Sequence, residues 1–416
     1  MKFLLLLSVA FLAFVHAKEM GTRTYKGYQV FTVKVTNPAQ FEVVKSLYDS
    51  DEYDFWTTPR KLGATDIMAA PEQIKQLGKI FAENGMQFVV KVKDVGNLIL
   101  EEQASNKRSS DGRISWTAYP SFAEIRDWLT SIDSPIAEVS TIGYTHENRP
   151  IFVVKFSTGG APKKSILIDA NIHAREWIAG ATATWIINEL VTNPDPYADI
   201  LAQVDIYIIP MVNADGFEWS RARDRMWRKT RSIRSGSSCI GCDPNRNFAF
   251  MFGGEGTSPD PCSNTYTGAG PFSEPETAAI RDFVVARESE GVKFYAYMTF
   301  HSYSQLWLLP WGYTQGVYPP DYAEQLSLGQ ASIAALEAVH GTAYQTGQGA
   351  DILYGVGGAS DDWAKDHGIK YTATIEMRDT EEGYGFILPA DQIIPNAEEV
   401  WAGLLVVFQR VIETPV

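Results

Sequence analysis

Strand-like and helix-like stretches alternate along most of this 416-residue chain. Five runs rich in β-branched and aromatic residues are typical of buried strands: IFVVKFS, SILIDA, VDIYIIP, FYAYMTF and KYTATIEM. Longer apolar stretches between them, such as IAGATATWIINELV and YAEQLSLGQASIAALEAVHG, are typical of helices. Strands that alternate with helices predict an α/β fold, with a mixed, mostly parallel central sheet and helices on both faces.

The first quarter of the chain has a different pattern and predicts a separate small α+β unit over residues 18–108. YQVFTVKV alternates as a half-buried strand does, and MQFVVKV resembles a second strand. PEQIKQLGKIFAENG puts Ile74, Leu77 and Phe81 on one helical face. The polar stretch EEQASNKRSSDGR follows, with the basic pair Lys107-Arg108. It predicts an exposed linker that proteases can cut, although the basic pair could also be a coincidence in an ordinary linker.

The start of the chain and its charge indicate an exported protein. MKFLLLLSVAFLAFVHA has one Lys, an apolar run and a small-residue end, which predicts a secretory signal peptide cut after Ala17. A membrane anchor is the alternative, but the apolar run of this segment is shorter than the roughly 20 residues that a membrane-spanning helix needs. The formal net charge of −14 argues against nucleic acids and membranes as partners.

Three cysteines lie close together, at Cys239, Cys242 and Cys262. In an oxidising compartment two of them would pair and the third would be left over. The Cys-x-x-Cys spacing also occurs in zinc and redox motifs, but a structural zinc site needs four ligands and no second pair is present. The spacing alone does not say which two cysteines pair.

Two histidines and a glutamate follow the predicted strands. His173 and Glu176 come just after SILIDA, and His301 comes just after FYAYMTF. Sites in open α/β sheets form at the carboxyl ends of the strands, so these side chains could converge. Two imidazoles and a carboxylate are the ligands of a catalytic zinc. The H-x-x-E spacing alone is a weak signal, and the other histidines of the mature chain fit polar or loop positions.

A further carboxylate, Glu376, lies inside the apolar run YTATIEM. Burying a carboxylate costs free energy unless it has a partner. A catalytic metal site needs a base for its water, which gives Glu376 a role. The alternative is a glutamate at a strand end that faces solvent.

Seven short motifs occur in the order in which a known enzyme family has them: NIHAREW, RMWRKTRS, PNRNF, FHSYSQ, ILYGVGGASDDW, TIEMRDT and GFILPADQIIP. On these motifs the chain resembles the zinc metallocarboxypeptidases of the pancreatic A/B type, and the B branch most. The resemblance implies a secreted, monomeric zymogen with a signal peptide (1–17), an open-sandwich prosegment (18–108) that acts as inhibitor, and a catalytic domain (109–416). It also implies one Zn²⁺ per chain, peptide and protein C-termini as substrates, and activation by a trypsin-like protease after Arg108 or Arg113.

The resemblance assigns roles to individual residues. His173, Glu176 and His301 match the zinc ligands, Glu376 matches the general base and Arg228 matches the group that stabilises the oxyanion. The residues that match substrate contacts are Asn245 and Arg246 for the terminal carboxylate, Tyr354 as the mobile tyrosine that closes over substrate, and Arg175 and Tyr303 upstream of the scissile bond. An arginine such as Arg246 is suited to bind the terminal carboxylate of a substrate, since a planar guanidinium binds a carboxylate through two hydrogen bonds. The family also commonly has a disulfide that matches Cys239–Cys262, which leaves Cys242 over.

Two further positions bear on the choice of substrate. Asp361 falls where B-type enzymes have an acidic residue and A-type enzymes an apolar one, and Gly349 resembles the B branch, where a small residue leaves room for a long side chain. A carboxylate at the base of a closed pocket favours a Lys or Arg side chain. The alternatives are that Asp361 pairs with a neighbour such as Lys365, that the enzyme has the A-type preference for aromatic or aliphatic residues, or that the chain is a non-catalytic relative.

Overall fold

Two β-sheets organise the chain, in a computed structural model that describes residues 22–109, 114–160, 163–379 and 383–415. The predicted signal peptide and Arg113 lie outside these residues, and only the backbone of Arg108 is described. One sheet belongs to an N-terminal unit and the other to the rest of the chain.

The N-terminal unit packs helices against a small antiparallel sheet of order β2-β3-β1-β4. Its elements are β1 Gln29–Val35, α1 Pro38–Asp49, β2 Asp54–Phe55, β3 Gly63–Ala69, α2 Ile74–Glu83, β4 Gln87–Val92 and α3 Val95–Ser109. Asn37 begins α1, because its side chain accepts a hydrogen bond from the amide of Gln40 at 3.0 Å. Leu77 and Phe81 of α2 are fully buried. The predicted α+β unit and the apolar face of its helix are confirmed.

The predicted exposed linker is largely helical, and that prediction was wrong. Helix α3 continues to Ser109, through most of the polar stretch. Its Glu102 is buried and accepts two hydrogen bonds from the guanidinium of Arg225, at 2.7 and 3.0 Å. A search for apolar residues does not detect a helix held by a buried ion pair, although Glu, Gln, Lys and Arg are good helix formers.

The second unit contains the larger sheet. Its strands are β5 Ala137–Tyr144, β6 Pro150–Phe156, β7 Lys164–Ala170, β8 Val204–Ile209, β9 Lys293–Ser302, β10 Leu306–Leu309, β11 Gln345–Gln348 and β12 Tyr371–Met377. Its helices are α4 Phe122–Ser131, α5 Trp177–Thr192, α6 Ala198–Leu201, α7 Ala214–Ala222, α8 Pro275–Ser289, α9 Tyr322–His340, α10 Gly349–Ile352, α11 Ser360–Asp366 and α12 Ile393–Glu413. Among the described residues, no helix is both long and apolar enough to span a lipid bilayer.

The eight strands lie in the order β11-β10-β12-β9-β7-β8-β6-β5. Neighbours are parallel from β12 through β9 and β7 to β8, and again between β10 and β11, while the remaining pairs are antiparallel. Alternate residues of β7 enter different cores, with Ile166 and Ile168 on the side of α5, α9 and α12, and Leu167 on the side of α8 and α11. The predicted mixed, mostly parallel sheet with helices on both faces is confirmed.

The parallel strands β7, β9 and β12 end at the same edge of the sheet. His173 lies three residues beyond the last residue of β7, and His301 is the last but one residue of β9. Glu376 of β12 is the register partner of His301. Three separate parts of the sequence therefore meet at one edge.

Candidate active site

Three buried side chains converge at this edge. The Nδ1 atoms of His173 and His301 lie 3.1 Å apart, and the carboxylate of Glu176 lies 2.8 Å from the first and 3.1 Å from the second. The ligand atoms of the three residues lie within 4.8 Å of one another. Two imidazole nitrogens and a carboxylate are the ligand set of a catalytic zinc. The fold thus brings together the three residues predicted as metal ligands.

Asp243, which sequence reasoning missed, orients this donor set. Its Oδ1 lies 3.0 Å from Nε2 of His173, on the side of the ring away from Glu176. A carboxylate there keeps the proton on Nε2, so that Nδ1 presents a lone pair to a metal. This tautomer fits a bound zinc. Asp243 comes directly before the PNRNF motif, but it is 70 residues from His173 in the sequence, so no local sequence pattern links the two residues.

Asp243 also holds Arg228 in place. Its Oδ2 accepts hydrogen bonds from Nη2 of Arg228 at 2.7 Å and from Nε at 3.0 Å. Burial opposes ionisation of Asp243, but the charges of Arg228 and Arg246 outweigh burial and hold its pKa well below the usual range. Arg228 is therefore a fixed cation beside the metal ligands, as an oxyanion-stabilising group must be.

Glu376 lies on the other side of His301 and lines the same cavity as the three metal ligands. Burial raises its pKa to about 8, and the charges of His301 and Arg228 act in the opposite direction. A bound dication would lower this pKa again, because a nearby opposite charge favours the carboxylate. An ionised carboxylate beside the metal ligands suits a general base.

Asn245 and Arg246 lie in a short 3₁₀ turn, Pro244–Arg246, and both line the cavity. Nε of Arg246 donates to the carbonyl of Gly256 at 3.0 Å, and Oδ1 of Asn245 accepts from the amide of Ser360 at 2.9 Å. These bonds fix a guanidinium and an amide near the metal ligands. The arrangement suits recognition of a carboxylate.

Asp361 and Gly349 also line this cavity. Asp361 is buried at the start of α11, and burial raises its pKa while a hydrogen bond from Thr374 lowers it. A Cβ atom built on Gly349 would lie 3.6 Å from Cα of Gly312 and 3.8 Å from Cβ of Leu308, which also line the cavity, so a larger residue at this position would take up part of its volume.

Two of the three cysteines form a disulfide, Cys239–Cys262, as the resemblance implied. Cys242 is a buried free thiol. Burial raises its pKa well above the usual value, so it is a poor nucleophile.

Comparison with known proteins agrees with this geometry. Residues 125–403 match the family model described as zinc carboxypeptidase, and residues 31–102 match the model described as carboxypeptidase activation peptide.

The chain belongs to the zinc carboxypeptidase family.

Individual relatives include both branches of this family. Carboxypeptidase A2 of Rattus norvegicus is 39% identical over 99% of this chain and 99% of its own length. Carboxypeptidase B of Astacus astacus is 46% identical over 72% of this chain and 99% of its own length. The crystal structure of carboxypeptidase A from Helicoverpa armigera matches with a TM-score of 0.85 and 25% identity, over 93% of this chain and 98% of that one. Relatives of both types match, so similarity alone does not distinguish them.

The protein is a metallocarboxypeptidase with an activation peptide, and the activation peptide lies in the cleft of the enzyme. Arg175 donates hydrogen bonds to the carboxylate of Asp54 at 2.9 Å and to the carbonyl of Phe55 at 3.0 Å. The hydroxyl of Tyr303 donates to Asp66 at 2.5 Å. Both residues predicted to contact substrate upstream of the scissile bond are thus engaged by prosegment carboxylates.

The prosegment also contacts Tyr354, the residue predicted to close over substrate. The ring of Tyr354 packs edge-on against Tyr48, with centroids 5.5 Å apart. Trp56 and Thr57 line the cavity that holds the metal ligands. Tyr354 is consequently buried in the zymogen.

Proposed function

We propose that the activated enzyme removes C-terminal Lys and Arg from peptides and proteins. The observation that supports this preference is the buried carboxylate of Asp361, which lines the same cavity as the metal ligands. An apolar C-terminal residue would leave this charge without a counterion, whereas an ammonium or guanidinium would pair with it.

The neighbouring charges are used elsewhere, which supports Asp361 as the group that contacts substrate. Lys365, the alternative partner, binds Asp321 at 2.6 Å and the carbonyl of Lys370 at 2.7 Å. Asp362 accepts hydrogen bonds from the amides of Gly312 and Tyr313, at 2.8 to 3.0 Å. Asp351 is exposed and accepts from the hydroxyl of Tyr318.

In the proposed reaction, Asn245 and Arg246 bind the terminal carboxylate of the substrate and so define which peptide bond reaches the metal ligands. His173, Glu176 and His301 would hold the zinc ion, which would polarise the scissile carbonyl and make the attacking water more acidic. Glu376 takes a proton from the attacking water and passes it to the leaving amine.

The remaining groups stabilise charge and shield the site. Arg228, fixed by Asp243, stabilises the negative charge that develops on the carbonyl oxygen. Tyr354 closes over the bound residue once the prosegment has gone. Arg175 and Tyr303 then bind the chain upstream of the scissile bond.

We further propose that the chain is secreted as an inactive zymogen, cut first after Ala17 and then near Arg108. The ion pair of Asp54 with Arg175 and the burial of Tyr354 support inhibition by the prosegment. The disulfide Cys239–Cys262 supports export to an oxidising compartment. A basic cleavage position favours a trypsin-like activating protease.

Limited digestion with trypsin tests both proposals. The new N-terminus should be Ser109 or lie within a few residues of it, and activity should appear with the cut. Matched blocked peptides ending in Arg, Lys, Phe and Leu then give kcat/KM for each C-terminal residue. A preference for Phe or Leu would assign the A-type specificity instead, and absence of turnover in zinc-loaded protein would leave only a binding role.

A further inference from the structure

The loop of residues 56–62 connects β2 with β3 in the prosegment and passes along the catalytic cavity. Its first three residues, 56–58, line the cavity together with the metal ligands. Its last two residues, Lys61 and Leu62, are exposed, and Leu62 is 66% accessible to solvent. A leucine this exposed adds little to the core of the prosegment. One short loop therefore reaches from the catalytic cavity to the surface.

The tip of this loop, Lys61-Leu62, has the features of a proteolytic site. Neither residue belongs to a helix or strand, and within the described part of the chain neither forms a hydrogen bond or an ion pair. Exposed loop tips of this kind are preferred sites of proteolytic cutting. Lys61 also provides the side chain that a trypsin-like protease recognises. The protease proposed to cut near Arg108 therefore has a second candidate bond in the prosegment.

Other basic residues of the prosegment are less suitable. Lys34 is exposed, but it lies in β1, which is paired with both β3 and β4. Arg60 is half-buried, and its amide donates to the hydroxyl of Thr65 at 3.3 Å. Lys26 and Lys93 are exposed outside helices and strands, but cuts after them would leave the loop along the cavity intact. Lys61 is thus the exposed basic residue at which a cut would divide this loop.

The prosegment approaches the cavity in the same direction as the proposed substrate. Residues 51–54 line an outer groove, residues 55–58 line the next one, and residues 56–58 line the cavity itself. Later residues of the prosegment therefore lie nearer the side chains proposed to bind a terminal carboxylate. Lys61 follows the last of these lining residues by three positions, a distance that an extended chain spans in about 10 Å. A free C-terminus at Lys61 would thus be within reach of the cavity.

We infer that the activating protease also cuts the Lys61–Leu62 bond, and that the enzyme then removes Lys61 and Arg60 from the new C-terminus. In the first step water adds across the Lys61–Leu62 bond, which leaves a carboxylate on Lys61 and an amine on Leu62. In the next two steps water adds across the bonds that precede Lys61 and Arg60. Free lysine and then free arginine are released, and Pro59 becomes the C-terminus. The trimming rests on the proposed function, because it requires a preference for C-terminal Lys and Arg.

The inferred cut would divide the part of the prosegment that lies in the cleft. Asp54, which binds Arg175, precedes the cut, and Asp66, which binds Tyr303, follows it. The two contacts would then belong to separate fragments. The segment that covers the cavity would thereby become a substrate of the enzyme that it covers.

The cut is tested on the full-length zymogen with a lysine-specific endoprotease, which does not cut after Arg. Mass spectrometry of samples taken during the digestion identifies each new terminus. Leu62 should appear as a new N-terminus while the bond after Lys34, inside the paired strand β1, is still intact. Lys61→Arg is the matched variant, because it keeps the charge and approximate length of the side chain. The lysine-specific protease should no longer produce Leu62 from this variant, whereas trypsin still should.

The trimming is tested in the same digestion. The endoprotease also cuts after Lys107 and so activates part of the protein. The wild-type fragment that precedes Leu62 should end at Arg60 or Pro59, a loss of one or two residues that this protease cannot cause. Glu376→Gln should be cut at the same bond, but its fragment should keep Lys61. Wild-type protein digested with a zinc chelator present should also keep Lys61, which provides the control if the variant does not fold.

Two results would overturn the inference. One is that Leu62 does not appear as an N-terminus before the bond after Lys34 is cut. The other is that the wild-type fragment keeps Lys61 although the activated enzyme removes the terminal Lys from a synthetic peptide of the same sequence, DFWTTPRK. Failure of the proposed function is a separate result, because the free peptide would then keep its Lys and peptides ending in Phe would be preferred.

Discussion

Glu376 and His301 are register partners on the neighbouring parallel strands β12 and β9. The sheet itself therefore sets the separation between the proposed base and a metal ligand. A base held by backbone hydrogen bonds of two strands needs little reorganisation when substrate binds.

The first prediction separates the base from the metal ligands. Glu376→Gln should retain zinc but lose a factor of roughly 10² to 10⁴ or more in kcat, because the amide cannot accept the proton. His173→Ala should lose zinc, since a ligand and its lone pair are removed. Zinc content by atomic absorption, measured with turnover, distinguishes the two. Substantial turnover in Glu376→Gln would show that another group is the base.

The second prediction concerns inhibition by the prosegment. Asp54→Asn removes the charge that pairs with Arg175, whose side chain is almost fully buried. Loss of a hydrogen bond between charged groups costs about 1.5 to 3 kcal/mol. The uncut Asp54→Asn zymogen should therefore have a residual activity at least roughly 10-fold higher than that of the uncut wild-type zymogen. Asp49→Asn is the matched control, because among the described residues the exposed carboxylate of Asp49 forms an ion pair only with Lys45 of its own helix. Equal residual activity in both variants would argue against a role for Asp54.

Sequence patterns predicted that His173, Glu176, His301 and Glu376 would meet at one edge of the sheet, because each follows or lies within an apolar run whose end has a fixed place in a parallel sheet. They did not predict Asp243 or Glu102. Asp243 lies 70 residues from His173 in the sequence, and only the fold brings its carboxylate into contact with that imidazole. Glu102 lies in a polar stretch, and its burial depends on Arg225 of the other unit. Such partners are defined by tertiary contacts between residues far apart in the sequence, and these contacts leave no periodic pattern that sequence analysis could detect.

The third prediction concerns specificity. Asp361→Ile should lower kcat/KM for peptides ending in Arg by about 10²- to 10³-fold and raise it for Phe, because a buried charge without its partner costs about 3–5 kcal/mol. Asp351→Asn is the control, since that carboxylate is exposed and bonds to Tyr318. The two variants are compared on matched peptides. An unchanged Arg-to-Phe ratio in Asp361→Ile would rule out this carboxylate as the determinant.

The last prediction concerns stability against pH and a carboxyl group remote from the metal ligands. Glu276 lies in the first turn of α8 and is fully buried. Its Oε1 accepts from the amide of His146 at 3.1 Å, but its Oε2 has no hydrogen-bond partner among the described residues. Burial, with smaller effects of Glu274 and Asp215, raises its pKa from 4.5 to about 8.

The sign of the pH effect follows from proton binding. Between pH 4.5 and 8 the folded protein keeps a proton on Glu276 that the unfolded chain has lost, so folding stability falls as pH rises through this window. Glu276→Gln keeps an acceptor for His146 and cannot ionise. It should therefore match the wild type near pH 4.5 and be more stable by a few kcal/mol above pH 8.

Urea unfolding of both proteins from pH 4.5 to 9 measures the difference. Glu290→Gln, at the exposed end of the same helix, should change the pH dependence little, since its pairing with Arg287 is at the surface. Parallel curves for wild type and Glu276→Gln across the whole range would mean that Glu276 ionises normally in the folded state. A stability gain that already exists at pH 4.5 would instead point to better packing or hydrogen bonding of the amide, because no charge is removed at that pH.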